Sequence, residues 1–329
     1  TDCGATAGRT IRRSDSKRFG HSFYERILGR VTLGSIAKVV KENILIDETI
    51  AQKIVDQAGG IPKAFLMLPD GLAGNGSDIV AGVLAVVGDM PFVGGSAGDD
   101  FLFKKTYQYF GKEVVSGTIV AIGITGDVHF GIGVRHGWKP IGVAKKVTKA
   151  EGNVLHEIEG KPAISIYEEQ FGVKADVLRK EPLARLAITY PLGMKVAGSD
   201  EYLIRDPIQA DEHGAITCAA AIPVGADIQL MLGGVDEAIE AGRAGARQAR
   251  ENLGDFTPKA ILNFNCIARD RLYALRGGEE IKAMLEEIGP GTPFLGFYTY
   301  GEQAPIGGTM KTCNPGFHNE TSVLWVLGE

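Results

Sequence analysis

The sequence predicts an α/β protein of mixed α+β type: two mixed-sheet domains with helices packed on the sheets. Three observations predict it. Helical and strand patterns alternate over residues 46–95, short β runs with no helix between them follow over 106–149, and strands and helices mix again from 162 to the end. With 44% apolar and 23% charged residues, 329 residues can build large cores. The expected domains are 1–155 and 156–329, with the junction in KAEGNVLHEIEGKP, near 150–160.

Residues 1–46 are polar and irregular in pattern. IDETIAQKIVDQAG (46–59) sets Ile50, Ile54 and Val55 at helical spacing. KAFLMLP (63–69) is a buried-strand pattern, SDIVAGVLAVVG (77–88) a helix with Ser77 as its expected N-cap, and MPFVGG (90–95) a short β run. Over 106–149, TYQYF, GTIVAIGI and VHFGIGVRHG read as strands. Val128, Phe130, Ile132 and Val134 alternate with His129, Gly131, Gly133 and Arg135, and the stretch is expected to form an antiparallel meander. PAISIYEEQFG (162–172) reads as a helix with Pro162 in its first turn. EYLIRD (201–206), GAITCAAAIP (214–223) and ADIQLML (226–232) are β runs. Residues 235–253 give the clearest helix, with Asp236 and Glu237 at its start and Arg243, Arg247 and Arg250 towards its end, as the macrodipole favours. KAILNFNC (259–266) is a strand, EEIKAMLEEIG (279–289) a helix, and PFLGFYTYG (293–301) and SVLWVLG (322–328) are strands.

Composition excludes several classes. The 45 glycines are about 14% of the chain, roughly twice the usual share, and imply tight turns and close backbone approaches. A net charge of −5 offers no basic footprint for nucleic acid or an anionic membrane. No apolar run approaches the ~18 residues of a spanning helix. The start, TDCGATAGRTIRR, lacks a signal-peptide core and an initiator Met, so a processed or truncated start is expected. Cys3, Cys218, Cys266 and Cys313 form no Cys-x-x-Cys pair and read as reduced thiols of a cytoplasmic protein. The six histidines show no paired spacing, so no metal site is expected. There is no Walker A pattern, and Gly131, Gly133 and Gly137 have the wrong spacing for a dinucleotide fingerprint. G-x-[ST]-A-G occurs at 4–8 and again at 94–98, a faint internal echo.

The candidate site residues sit at strand ends. GGSAGDD (94–100) can form a nest of backbone N–H groups with the Ser96 hydroxyl, although Asp99 and Asp100 would repel phosphate; it also reads as a tight turn with solvated acids. NFNCIARD (263–270) puts Cys266 and Arg269 at the end of an apolar strand, where open α/β sheets hold ligands. Arg269 could fork onto a carboxylate, or be a surface arginine beside a buried thiol. GFYTYGE (296–302) offers Tyr298 and, after a glycine turn, Glu302 for a ligand ammonium. FHNET (317–321) offers His318 and Asn319 before the last strand. Cys266, Glu302 and His318 are also the obvious nucleophile, acid and base set.

Eight segments in order resemble the FIST family of sensory proteins. They are GGSAGDD (94–100), GWKPIG (137–142), NVLHEIEGKPA (153–163), YPLG (190–193), IRDPI (204–208), Cys266 with Arg269, GFYTYGE (296–302) and HNET (318–321). The resemblance implies a FIST N-terminal region over 1–155, a FIST C-terminal region over 156–329, and a small-ligand sensory role in prokaryotic signal transduction. Amino acids are the ligand class it implies, and haem-based nitric oxide sensing occurs among relatives. It also implies an additional α/β segment ahead of the stretch resembling TDCGATAG, so the first domain is expected to lack that segment. No output module follows Glu329, so a separate signalling partner such as a kinase is expected, and a homodimer is compatible.

Three readings follow. The first is a binding module without enzymatic activity, its pocket at the strand ends of the second half and closed by the 94–100 turn. There Arg269 would take a carboxylate and Glu302 an ammonium, with Tyr298, His318, Asn319, Cys266, Ser96 and Asp99 around them. The second is a haem sensor using His318 or His129. The third is an enzyme using Cys266 as nucleophile.

Overall fold

A computed structural model describes residues 3–6, 10–12, 30–33, 37–38, 45–110, 112–179, 182–196, 202–310 and 315–329. The first part of the chain contributes β1 (Cys3–Thr6), β2 (Thr10–Arg12), β3 (Arg30–Leu33), β4 (Ala37–Lys38), α1 (Leu45–Ala58), β5 (Ala64–Pro69), α2 (Gly76–Val87) and β6 (Phe92–Ala97). Then come β7 (Tyr107–Phe110), β8 (Glu113–Val115), β9 (Thr118–Thr125), β10 (His129–Arg135), β11 (Lys139–Glu151), β12 (Val154–Ile158) and β13 (Lys161–Pro162). The middle holds α3 (Ser165–Phe171), α4 (Ala175–Leu178), α5 (Leu183–Ala187), β14 (Leu192–Lys195), β15 (Tyr202–Arg205), β16 (Pro207–Ala210), β17 (Ile216–Cys218) and β18 (Asp227–Leu232). The last part holds α6 (Val235–Leu253), β19 (Pro258–Cys266), α7 (Ile267–Tyr273), α8 (Gly277–Ile288), β20 (Phe294–Pro305), β21 (Pro315–His318) and β22 (Ser322–Gly328).

The predicted mixed α+β class is the class observed. The largest sheet has the order β10-β22-β19-β20-β6-β5-β9-β3, with β2 and β21 beside β20 and β4 beside β9. Its two halves repeat one topology. β3, α1, β5, α2, β6 and β9 follow one another in the chain as β10, α6, β19, α8, β20 and β22 do. Within each half the first strand lies outside the last, and the two middle strands are parallel. The registers correspond: Phe65 lies beside Phe92 on β5 and β6, and Ile261 beside Phe294 on β19 and β20. The halves meet antiparallel, with Ala97 paired to Thr299, which gives the pairing a twofold pattern about that point. Lys-Ala-Phe-Leu (63–66) against Lys-Ala-Ile-Leu (259–262), and Pro-Phe-Val-Gly (91–94) against Pro-Phe-Leu-Gly (293–296), are its traces in sequence. They are other segments than the G-x-[ST]-A-G pair, part of whose first copy lies outside the described residues.

Alternation along the strands buries one face under the helices. Ile50 and Ile54 of α1 and Val83 of α2 cover Phe65, Met67 and Phe92. Ala246 and Ala249 of α6 and Met284 of α8 cover Ile261, Leu324 and Val326 in the other half. The intervening residues, Leu66, Val93, Phe264 and Trp325 among them, form one cluster on the opposite face that runs through both halves. Helix α6 lies directly on β10 because that strand has glycines beneath it. A Cβ on Gly133 would come within 1.8 Å of the Gly245 carbonyl oxygen, and one on Gly131 within 2.0 Å of the Ala249 carbonyl oxygen.

The second sheet is antiparallel, ordered β15-β14-β18-β11-β12-β17-β16 with β13 beside β12. Its core joins Val147, Leu155, Ile158, Leu192, Ile216 and Leu230 to Tyr167 of α3 and Leu183 of α5. Strands from before and after residues 155–156 occur in both sheets, and the β11–β12 hairpin spans that position.

Several local expectations are revised. The stretch 106–149 is not a meander. β7 lies between β1 and β8 in a separate small sheet, β9 and β10 lie in opposite halves of the large sheet, and β11 joins the second sheet. Alternation fixes which side chains are buried; it does not choose a strand's partner. Asn75, not Ser77, caps α2, its side-chain oxygen accepting from Ser77 N at 3.1 Å. Pro162 lies in β13, ahead of α3. Only Ile216–Cys218 of the expected strand over 214–223 is extended in a ladder.

Candidate functional site

The carboxyl ends of three strands meet the middle of β20 in one row. Cys266, the last residue of β19, pairs with Thr299; Thr299 pairs with Ala97, the last residue of β6; Ala97 bridges to Asp70, just past β5. Two parallel pairs running in opposite directions thus bring their ligand-facing ends together at the centre of the sheet. Local chemistry fixes the row's edge. The Asp70 carboxylate accepts from Leu72 N at 2.8 Å and Gly117 N at 2.6 Å, which sets the turn into α2. Gly71 is required there, since a Cβ would come within 2.4 Å of the Ala97 carbonyl oxygen.

A cavity of about 230 Å³ opens at this row, between the large sheet and the second sheet. The turn 70–76, the end of β6 and the start of α7 form one side; Asn153, Asp206, Thr217 and Cys218 form the other. Phe101, Phe103 and Tyr300 make an aromatic wall, with Phe103 stacked on Tyr300 at 5.1 Å between centroids. Its charged lining residues are Asp70, Asp206 and Glu320, and among the described residues no lysine, arginine or histidine lines it.

Glu320 is fully buried, and among the described residues neither of its carboxyl oxygens has a hydrogen-bond donor; the Asp206 carboxyl is its neighbour. It also holds a left-handed backbone, φ 55°, which costs energy for a residue other than glycine and recurs at functional sites. Burial raises the Asp206 carboxyl to about 7 and pushes Glu320 well above the usual carboxylate range. Arg205 lies next to them, its Nε donating to the Ala221 carbonyl and its Nη1 to the carbonyls of Ile204 and Phe317.

Of the residues expected from sequence, Ser96 and Cys266 line the cavity. The Ser96 hydroxyl accepts from Gln303 Nε2 at 3.0 Å. Burial raises the Cys266 thiol well above its ordinary value and the Cys218 thiol to about 12, so both are held as thiols. Asp99 stands behind the aromatic wall. It accepts from the Tyr300 hydroxyl at 2.6 Å and from the backbone N–H groups of residues 103, 104 and 105. Burial opposes its charge, yet these bonds hold its pKa below the usual value.

The other expected residues gather beneath the cavity, around the segment 318–321, without lining it. Glu302 pairs with His318 across β20 and β21 and accepts from Thr299 Oγ1 and from Thr321 N; burial pushes its pKa well up. It is therefore held protonated and does not present a free anion to a ligand ammonium. His318 Nε2 meets the Ala304 carbonyl at 3.0 Å, and burial lowers its pKa to about 4. Asn319 is buried and its carbonyl accepts from Thr321 Oγ1 at 2.7 Å. Tyr298 is buried against Gly277 and Asp270.

Arg269 is wholly buried and committed to the protein. It donates to Glu280 Oε1 at 2.5 Å, to the Ala238 carbonyl at 2.8 Å, to the Glu320 carbonyl at 3.2 Å and to the His136 carbonyl. Its guanidinium also lies 5.6 Å from the ring centres of both Trp138 and Tyr273. The fork foreseen for a ligand carboxylate is thus occupied by internal partners. Of the two histidines considered for haem, His129 stacks on Phe256 at 3.5 Å and His318 is buried as described; neither lines the cavity, so its lining offers no axial imidazole. Sequence reasoning did not single out Asp70, Asp206 and Glu320. Two of them lie inside quoted segments, IRDPI (204–208) and HNET (318–321), which was the available signal.

The model of the FIST N domain matches residues 7–161, and that of the FIST C domain matches residues 163–305. The chain belongs to the FIST family. FIST domains are sensory modules of signal transduction, a family of ligand-binding rather than catalytic domains. An uncharacterized protein of Methanocaldococcus jannaschii is 35% identical over 113 residues, 32% of this chain and 22% of that protein. An uncharacterized protein of Mycobacterium tuberculosis is 28% identical over 229 residues, 68% of this chain and 57% of that one; one of Mycobacterium bovis is 27% identical over 229 residues, 68% and 56%. The chain therefore spans less than two thirds of the length of these curated relatives. No helix among the described residues of this FIST protein is long and apolar enough to cross a membrane.

Proposed function

We propose that this FIST protein is a small-ligand sensor whose ligand, an amino acid, occupies the cavity at the convergent strand ends, and that a separate partner such as a kinase reads its state. One observation carries the reading: a cavity of about 230 Å³ holds a fully buried carboxyl, Glu320, with no donor among the described residues, and a buried polar group of that kind is stabilised when a ligand supplies the bond. The charged groups lining the cavity are all acids. Asp206 and Glu320 suit the ammonium of an amino acid, while on the opposite side Gly76, at the start of α2, and the aromatic wall leave space for the rest of the molecule. Thermal unfolding with each of the twenty amino acids tests this. A ligand at 100 times its Kd adds ~2.7 kcal/mol of stability. Ala73→Trp, which fills the cavity from its exposed side, should abolish the shift. Absence of a shift with every amino acid, or an unchanged shift in Ala73→Trp, overturns the assignment.

A further inference from the structure

We propose that the cavity recognises its ligand through a positively charged amine held by Asp206 and Glu320, and that the entering amine displaces a proton shared by that pair. This rests on the reading of the cavity as the ligand site and specifies which part of the ligand is indispensable. Glu320 is fully buried, lines the cavity, and has no donor to either carboxyl oxygen among the described residues. Its strained backbone holds it there. The carboxyls of Asp70 and Asp206 are the other charged groups of the lining. The aromatic wall of Phe101, Phe103 and Tyr300 shields this site from water, which strengthens an ion pair formed inside it.

The surrounding charges leave room for one more cation. Arg205 on β15 is the guanidinium next to the pair, and its N–H groups go to carbonyls, not to the acids. Arg269 on α7 is matched by Glu280. Glu302 on β20 adds a further buried carboxyl, whereas Cys218 on β17, Cys266 on β19 and Tyr167 on α3 face the pair as neutral groups, their pKa values all raised by burial. The carboxyls of Asp206, Glu320 and Glu302 are buried around one guanidinium, that of Arg205, and cannot all ionise there, so the empty pair keeps a proton. The exchange balances: the ammonium keeps its own protons, one proton passes from the Asp206–Glu320 pair to solvent, and the pair gains the negative charge that the ammonium neutralises.

Calorimetry on the full chain tests this with a matched set for each amino acid, for example alanine with ethylamine and propionate, or phenylalanine with phenethylamine and 3-phenylpropionate. Amines should retain binding and the corresponding carboxylates should lose it. Titrations at pH 7 in phosphate and in HEPES, which differ in ionisation enthalpy and carry no primary amine, should show protons released on binding. Asp206→Asn and Glu320→Gln should weaken binding at least tenfold and suppress the release, with the wild-type circular dichroism spectrum retained. Binding by amino acids and carboxylates but not by amines overturns this inference and leaves the amino acid reading standing. Binding by amines with no amino acid active does the reverse. Binding with no proton release in the wild-type protein also overturns it, whatever the variants do.

Discussion

Arg269 and Glu280 form an ion pair sealed inside the protein: Nη2 lies 2.5 Å from Oε1, and the side chains are 0% and 1% exposed. Asn265 Nδ2 donates to the second carboxylate oxygen at 2.7 Å, so α7, α8 and the end of β19 are tied together behind the cavity. Removing one partner of such a pair strands a buried charge. Arg269→Ala should therefore cost about 3–5 kcal/mol in urea unfolding. Because the guanidinium does not line the cavity, ligand affinity in the folded fraction should change less than stability does.

The buried acids and histidines predict opposite responses to pH. Asp206 has a folded pKa near 7 against an ordinary value of 3.8, so the folded protein binds a proton that the unfolded chain has released. That stability is fully present below about pH 4 and is lost as pH rises through 7. Relative to Asp206→Asn, the wild-type protein should lose roughly 2–4 kcal/mol between pH 4 and 7. His318 is lowered from 6.5 to about 4, so its contribution is present above 6.5 and is lost as pH falls through 4. Wild type measured against His318→Gln should show that opposite slope. Unfolding curves at a series of pH values check both, and a flat difference would contradict the corresponding assignment.

Cys218 and Cys266 should react sluggishly. Both are buried free thiols with raised pKa values. Alkylation by iodoacetamide at pH 8, followed by peptide mass mapping, should be roughly 100-fold slower at these two sites than for the same thiols in urea. Fast stoichiometric labelling of Cys266 in the folded protein would restore the case for a nucleophile.

Gly133→Ala should be among the most damaging single-methyl substitutions in the chain, costing about 2–4 kcal/mol, because the added carbon meets backbone of α6 and not a movable side chain. Gly117→Ala meets open space but keeps φ at 66°, and should cost about 1 kcal/mol. The ratio of the two, read from denaturant midpoints, separates crowding from backbone strain.

Periodicity made most elements legible. α6 runs from Val235 to Leu253 as its spacing of small residues and its terminal charges imply. Strand partners were not legible, because β9 and β10 are adjacent in sequence and their hydrogen bonds go to strands in different halves of the sheet. Strand ends could be read as the place for a cavity, and Ser96 and Cys266 line the one found there. What could not be read was depth. Glu302, His318 and Arg269 look like available polar groups in one dimension, yet the chain after Phe317 passes behind them and burial changes their protonation or occupies their donors. Conversely, an acid between polar neighbours, such as Glu320 in HNET, reads as solvated until the second sheet is placed against it.

The twofold pattern about Ala97 and Thr299 sets Asp70 and Cys266 in corresponding places, one an acid and the other a thiol. Two identical halves would present a ligand with two equivalent ways to lie. Divergence between these halves removes that degeneracy: a molecule with distinct ends meets a different wall at each, and the protein can tell head from tail.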